Sequence, residues 1–342
     1  MTKRLSVILF ILVVLLCAAS STLHAQANNP ACFAVVSCSW TDLWGSGCGT
    51  LIPGVFGCAG VPFEFRSDCE VMSPNCPPPD GNCPGCNTAG SPISLATGNT
   101  FIQETDVRIP GLSNGLILDR TWNSQWPSSQ SAFQIGLFGP HWRSTYEERV
   151  FVGSDNYIKY AHSDGSFWSF GMATYGVWKP AAPANVAVTL VWDPNGGWTM
   201  TFQNGEQRVF NPTSGSLMKI VDRNGNTTVL SYDALNRLTT VTDPAGRHLY
   251  FSYPNNTSFL VTGVTSDVGL SLSYAYDGQN RLATVTKPDL TTVSFTYDSN
   301  SMITAVKDSN GKILESHTYD SSGRGLTSSR ANGVDAVTVS YQ

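Results

Sequence analysis

The stretch of sequence that decides the fold is Tyr232-Asp233-Ala234-Leu235-Asn236-Arg237-Leu238-Thr239-Thr240-Val241-Thr242-Asp243-Pro244-Ala245-Gly246-Arg247. From Leu238 to Thr242, apolar and hydroxyl residues alternate, which is the period of a strand with one buried and one wet face. Asp243 to Gly246 has the composition of a tight turn, because proline presets φ and glycine accepts a positive φ. The stretch therefore predicts a strand, a turn and a second strand.

Tyrosines recur at a nearly constant spacing along the last third of the chain. The intervals are 21, 23, 21, 22 and 22 residues, and four of the six tyrosines precede an aspartate. A period of this size indicates one supersecondary unit per repeat, stacked on its neighbours. The repeat-defining pairs are Tyr232-Asp233, Tyr276-Asp277, Tyr297-Asp298 and Tyr319-Asp320, and the other two tyrosines are Tyr253 and Tyr341.

The whole chain is predicted to be all-β. A lone hairpin is marginal in water, so the hairpins of residues 210–342 should pair edge to edge into a curved, partly open, spiralling sheet. Residues 88–209 are aromatic-rich and strand-like and predict a β domain in front of the repeats. The terminal edge strand exposes unpaired amides, and we expect a protein partner to cover it.

The first 87 residues predict an exported, disulfide-bonded segment. Lys3 and Arg4, an apolar run of 12 residues and small residues up to Ala27 form a signal peptide, with Ala25 as the second choice of cleavage site. An uncleaved anchor and a lipid-modified Cys17 are the alternatives. Residues 28–87 hold eight further cysteines, which indicate up to four disulfides of open pairing. For Cys83-Pro84-Gly85-Cys86, a structural disulfide is favoured over a metal or redox site.

The charge of the chain excludes several classes of partner. Its net charge is −5, and only 13% of its residues are charged. Nucleic-acid binding needs a basic footprint, and so does attraction to an anionic membrane surface. We therefore expect no nucleic-acid partner and no membrane span after signal cleavage, with the protein secreted, at the cell surface or in the periplasm.

Two stretches resemble the Rhs and YD-repeat proteins, relatives of insecticidal toxin-complex shells and of teneurins. The repeats quoted above and Tyr276-Asp277-Gly278-Gln279-Asn280-Arg281-Leu282 carry the first resemblance. Gly90 to Asp106, Arg120 to Ser124 and Phe138 to Tyr146 are similar to the uncharacterised domain that precedes the repeats in many bacterial members. The resemblance covers residues 88–342.

In that family, long arrays of hairpins form a hollow shell that encloses a C-terminal toxin. This chain is expected to depart from the pattern, with about six repeats, no toxin encoded after them and no Asp-rich self-cleavage motif. The resemblance thus implies a truncated relative, or a chain whose edge another chain covers.

No catalytic, cofactor or metal site is predicted. Glu104 and Asp106 share one face of a strand by alternation, and a glycosidase needs two such carboxylates, but a surface role is favoured. A structural role is also favoured for Glu147-Glu148 and for His141, His162, His248 and His317. The series Asp222-Arg223-Asn224-Gly225-Asn226 resembles a calcium loop, but its glycine falls two positions too early, which favours a turn.

The tryptophans carry one further hypothesis. Seven of the nine lie between positions 120 and 200, where aromatic faces beside amide side chains would grip sugar rings. Core packing is the favoured interpretation, and the candidate ligand surface is Trp122, Trp126 and Trp142, with Trp168, Trp178, Trp192 and Trp198 in the same region.

These observations rank three functions. The first is a non-enzymatic, exported scaffold or cell-surface interaction protein, with a truncated shell of a toxin-delivery protein as one form of it. The second is a carbohydrate-binding adhesin. The third is a hydrolase that uses Glu104, Asp106 or His141.

Overall fold

The computed structural model describes residues 35–42, 45–51, 69–72, 88–90, 92–95, 97–126, 135–153, 157–182 and 186–341. The chain divides into two compact units, Met1–Pro30 and Ala31–Gln342, and every described residue belongs to the second. The predicted signal peptide and Cys83-Pro84-Gly85-Cys86 lie outside the described residues. For the strands before residue 73 only the backbone is described, so the disulfides stay a prediction.

Strands make up nearly all regular structure in the described ranges. They are β1 Val35–Asp42, β2 Gly45–Leu51, β3 Cys69–Met72, β4 Thr88–Ala89, β5 Ile93–Ser94, β6 Phe101–Ile109, β7 Leu116–Asn123, β8 Ile135–Gly136, β9 Gly139–Pro140, β10 Trp142–Ser144, β11 Arg149–Val152, β12 Ile158–Ala161, β13 Phe167–Thr174, β14 Val177–Ala182, β15 Val188–Asp193, β16 Gly197–Phe202, β17 Gln207–Phe210, β18 Leu217–Val221, β19 Thr227–Tyr232, β20 Leu238–Thr242, β21 His248–Ser252, β22 Gly263–Ser266, β23 Ser271–Tyr276, β24 Leu282–Thr286, β25 Thr292–Tyr297, β26 Ile303–Lys307, β27 Ile313–Tyr319, β28 Gly325–Arg330 and β29 Val334–Thr338.

Helix is confined to single turns in the part of the chain that the structure describes. Leu112–Asn114 and Ala331–Gly333 are 3₁₀ turns, and no α-helix occurs among the described residues. No helix there has the length and hydropathy that a membrane crossing requires. The all-β prediction is confirmed.

Nineteen strands, β11 to β29, form one antiparallel sheet whose strand order follows the sequence. Each repeat contributes two strands, so the stacking of hairpins read from the tyrosine period is confirmed. The free edge of β11 lies against the start of β18, where Arg149 bridges Ser216 and the Val150 N–H donates to the Gly215 carbonyl over 2.9 Å. Strands 149–210 thus belong to the same sheet as the repeats, and the domain boundary at residue 209 stays a prediction.

One face of the repeat sheet is buried, as the alternation predicts. In β21, β23 and β25 the buried side chains come in pairs two residues apart: Leu249 and Phe251, Leu272 and Tyr274, Val293 and Phe295. The second member of each pair lies two residues before a repeat tyrosine. His317 occupies that position in the next repeat and is also buried.

The segment 101–146 covers that buried face. Its strands β6, β7 and β10 form a small antiparallel sheet that shares one hydrophobic core with the repeats. Successive repeats present successive aromatic rings to it, with centroid distances of 4.8 to 6.4 Å. The pairs are Tyr146 with Phe251, Phe138 with Tyr274, Trp142 with Phe295, and Trp122 with Tyr319. We call this set the aromatic row.

Candidate functional site

The repeat tyrosines join each repeat, counted from its tyrosine, to the repeat before it. Every one donates its hydroxyl to a backbone carbonyl 15 or 16 residues earlier, over 2.6 to 2.8 Å. The donor and acceptor pairs are Tyr232 to Leu217, Tyr253 to Leu238, Tyr276 to Val261, Tyr297 to Leu282, Tyr319 to Ile303 and Tyr341 to Gly325. Burial raises the pKa of Tyr297, which keeps its hydroxyl a donor at neutral pH.

The aspartate after each of four tyrosines shapes the turn. In the first repeat, Asp233 Oδ1 accepts the N–H groups of Leu235 and Arg237, each over 2.9 Å. Hydrogen bonds from Arg237 to this carboxylate lower the pKa of Asp233. Asn236 has a φ of 59°, the left-handed conformation that asparagine tolerates. In the series Asp222 to Asn226, which resembles a calcium loop, Asp222 accepts the N–H groups of Asn224 and Asn226 in the same way. This bonding confirms that the series forms a turn.

An arginine completes the contact between neighbouring repeats. The Arg237 guanidinium binds Asp233 and lies 4.5 Å from the ring centroid of Tyr253. Arg281 over Tyr297 and Arg324 over Tyr341 repeat the arrangement, at 4.6 and 4.3 Å. In these three repeats the aspartate and the arginine therefore have a structural role, together with the tyrosine of the next repeat.

The candidate ligand surface proposed from the tryptophans is wrong for two of its three members. Trp122 and Trp142 are 0% exposed, because they pair across β7 and β10 in the core and pack on rings of the aromatic row. Trp126 is half-buried, with the Arg143 guanidinium 4.6 Å from its ring centroid and Phe167 against its edge. For these two tryptophans the structure shows core packing, the interpretation that the sequence favoured.

Of the two carboxylates considered for hydrolysis, Asp106 belongs to a buried ion pair. Asp106 binds the Arg120 guanidinium and accepts the Tyr274 hydroxyl over 2.7 Å, and the Asp106 and Arg120 side chains are 0% and 1% exposed. Burial disfavours the charged Arg120, but the Asp106 carboxylate outweighs it and raises the pKa of Arg120. Burial also raises the pKa of Glu104. Asp106 is thus committed to joining β6 and β7 to the repeats.

His141 has a structural environment. It is 6% exposed, its Nδ1 lies 2.7 Å from the Asn123 carbonyl, and its ring stacks on Trp122. Burial lowers the pKa of His141, which keeps the ring neutral near pH 7. Glu147 accepts the Leu137 N–H and the Ser144 hydroxyl, both over 2.7 Å.

A polar cleft of about 250 Å³ was not singled out from the sequence. It brings together Glu148, His162, Asp164 and Arg208, with Glu148 3.0 Å from Arg208 and His162 3.1 Å from Asp164. Burial disfavours the charged His162, but the Asp164 carboxylate raises its pKa to about 9. Only the spacing of His162 and Asp164 is visible in the sequence, because the other two residues come from distant strands. No cluster of potential metal ligands is found among the described residues.

Two family models match the chain. Residues 90–170 match the model described as a domain of unknown function (DUF6531), and residues 213–248 match the RHS Repeat. The RHS Repeat match confirms the resemblance to the Rhs/YD-repeat family.

Curated proteins are similar in sequence to part of the chain. The tRNA nuclease WapA of Bacillus subtilis (strain 168) and the tRNA3(Ser)-specific nuclease WapA of Bacillus spizizenii are each 31% identical over 147 residues. The match covers 43% of this chain and 6% of each relative.

Solved structures give matches at low identity. The crystal structure of TcdB2-TccC3 is 14% identical, covers 68% of this chain and 15% of its own, and has a TM-score of 0.28. The Photorhabdus luminescens Tc holotoxin pore with a TccC3 variant is also 14% identical, covers 54% and 11%, and has a TM-score of 0.27.

The names of the relatives contradict one prediction. The sequence was interpreted as that of a protein without enzymatic activity, whereas the WapA proteins are named nucleases. The prediction of no enzymatic activity is therefore wrong. The error arose because the prediction considered only the residues of this chain, and the match covers 6% of each relative.

Proposed function

We propose that this chain is the exported scaffold of an Rhs/YD-repeat protein, a rigid wall that holds a partner or an activity of the kind for which the WapA relatives are named. One observation carries the proposal. Every repeat tyrosine donates a hydrogen bond to the preceding repeat, and the segment 101–146 packs along four successive repeats. The repeat sheet and this segment therefore share one hydrophobic core. Such an arrangement suits a rigid support.

Hydrogen exchange of the full chain tests the wall. If the proposal holds, backbone amides of β20 to β27 exchange slowly and open together, because each strand is paired on both sides. Repeats that exchange independently within seconds would contradict a rigid support. Cleavage of tRNA by the purified chain would also overturn the scaffold proposal, because the chemistry would then reside in the wall itself.

Export is tested with the leader alone. Residues 1–27 fused to alkaline phosphatase, which is active only in an oxidising compartment, should give an active reporter. The matched control carries Leu12→Arg and Val13→Arg, which interrupt the apolar run. Equal reporter activity with and without these arginines would show that the segment is no export signal.

Carbohydrate binding is the second candidate function, at a surface on β14, β15 and β16 rather than at Trp122 and Trp142. Trp178, Trp192 and Trp198 lie half-buried on adjoining strands, with Trp198 4.8 Å from Trp178 and 6.3 Å from Trp192. Tyr175, at the nearby hairpin, is 93% exposed. A glycan array probed with the chain and with a Trp192→Ala, Tyr175→Ala double variant tests it. Binding that the variant retains would remove this surface as the site.

A further inference from the structure

We propose that the polar cleft binds a primary ammonium group on a short apolar chain, carried by a free amine or by a lysine side chain. The cleft is lined by residues of β6, β7, β17 and β18, by the segment between β10 and β11, and by the turn after β12. Its volume of about 250 Å³ lies below the usual range for drug-sized ligands, so it suits a small cationic head group. The proposal goes beyond the scaffold function and does not depend on it.

The positive charges of the cleft are already paired with carboxylates. Arg208 lies 3.0 Å from Glu148 and 2.5 Å from Glu206, which does not line the cleft. His162 lies 3.1 Å from Asp164. Burial disfavours the charged His162, but the Asp164 carboxylate raises its pKa to about 9, so the ring is cationic near pH 7. Two cations thus serve three carboxylates, and no positive charge is left over.

Asp119 adds a fourth carboxylate, and this one has no cation beside it. It lines the cleft, and no ion pair joins it to any residue in the described ranges. Its Oδ1 accepts the Thr105 hydroxyl over 2.6 Å, whereas its Oδ2 receives no hydrogen bond from those residues. The surplus of negative charge favours a cationic ligand, because a charged donor forms the stronger kind of hydrogen bond with a carboxylate.

Thr121 gives a second, independent indication of a ligand. It is 2% exposed and lines the cleft, and its hydroxyl has no hydrogen-bond partner among the residues that the structure describes. Burying a hydroxyl without a partner destabilises a fold, so a group of this kind indicates a functional position. Alternation places Thr121 on the same face of β7 as Asp119, and Gln103 of β6 lies directly opposite Thr121.

The oxygen atoms that receive no hydrogen bond in this part of the described chain match the donors of an ammonium group. They are Asp119 Oδ2, Thr121 Oγ1 and the Gln103 amide oxygen, and an ammonium group carries three N–H donors and no acceptor. The Asn123 amide donates to the Asp164 carbonyl over 2.8 Å, which fixes the turn after β12 to β7 without a ligand. A preformed site loses little affinity to ordering on binding.

The test is isothermal titration calorimetry of the full chain with n-butylamine and 1-butanol, which share an apolar tail and differ in charge. We expect saturable binding of n-butylamine and binding of 1-butanol that is about tenfold weaker, because the alcohol offers one neutral donor in place of three charged ones. Asp119→Asn should weaken the binding of n-butylamine about tenfold, because it removes the charge of the acceptor. Asp335→Asn is the matched control, since Asp335 lies on β29 with its side chain 62% exposed.

A third probe identifies the source of the ammonium group. If Nα-acetyl-lysine methylamide binds more tightly than n-butylamine, the cleft takes the lysine side chain of a partner. If it binds more weakly, the cleft takes a free amine. Both results support the proposal.

Thr121→Val separates a ligand contact from a structural contact. The substitution keeps the shape of the side chain and removes the hydroxyl, so we expect weaker binding of n-butylamine together with a higher urea midpoint of unfolding. A lower midpoint with unchanged binding would overturn the proposal. The absence of saturable binding, equal binding of n-butylamine and 1-butanol, or an Asp119→Asn variant that binds n-butylamine as well as Asp335→Asn does would each overturn it too.

Discussion

The buried pair of Asp106 and Arg120 gives the sharpest test of how the segment 101–146 is joined to the repeats. The Asp106 carboxylate receives two bonds from Arg120 and one from the Tyr274 hydroxyl, with 2.8 Å between Arg120 Nη2 and Asp106 Oδ1. Asp106→Asn removes the countercharge from a guanidinium whose side chain is 1% exposed. We expect the free energy of unfolding to fall by about 3–5 kcal/mol, the usual cost of breaking a buried pair on one side.

The second half of the cycle separates pairing from burial. Arg120→Met should cost a similar amount, because it leaves a buried carboxylate, whereas the double variant should cost less than the sum of the two. Urea unfolding of all four proteins, followed by tryptophan fluorescence, measures these differences. Asp335→Asn is the control, because Arg330 and Asp335 lie 3.9 Å apart with side chains 61% and 62% exposed. A loss below about 1 kcal/mol for Asp106→Asn would refute the assignment of this pair as the joint.

Three further predictions concern the repeats and the polar cleft. Tyr297→Phe removes the 2.7 Å bond to the Leu282 carbonyl and should lower the unfolding free energy by about 1–3 kcal/mol, measured by urea unfolding, while an unchanged value would show that the hydroxyl is not what joins the repeats. Leu290→Gly should raise stability by about 1 kcal/mol, because Leu290 has a φ of 65°, and a lower melting temperature would contradict this. The pKa of His162 is raised to about 9, so its contribution is fully present below its unfolded value near 6.5 and is lost as the pH rises through 9. His162→Gln should therefore flatten the dependence of stability on pH between about 6.5 and 9, and an unaltered slope would remove His162 as its source.

The repeat part of the fold was predictable because its information is local. The spacing of Tyr232, Tyr253 and Tyr276 fixes where hairpins lie, and Asp243 with Gly246 fixes where they turn. Alternation in β21 and β23 then identifies the buried face. Each inference needs only residues within one repeat, and strand pairing follows sequence order.

What covers that face was not predictable, because it depends on contacts between distant residues. Trp142 meets Phe295, and Arg120 meets Tyr274, across more than 150 positions. Nothing in the spacing of the tryptophans separates a ring in the core from a ring at the surface. The polar cleft was not predictable for the same reason, because Glu148 and Arg208 come from distant positions in the sequence.

The aromatic row fixes how many hairpins lie along the segment 101–146. Tyr146, Phe138, Trp142 and Trp122 each meet a ring from a different hairpin, so they count the hairpins between Phe251 and Tyr319. Deleting one 22-residue copy from this span would leave every local bond between neighbours intact and still shift all later rings off their partners. The hairpin beyond Tyr319 is fixed in the same way, because the Gly98 carbonyl accepts the Gly325 N–H over 2.8 Å and the Gln125 amide donates to the Ser322 carbonyl over 2.9 Å.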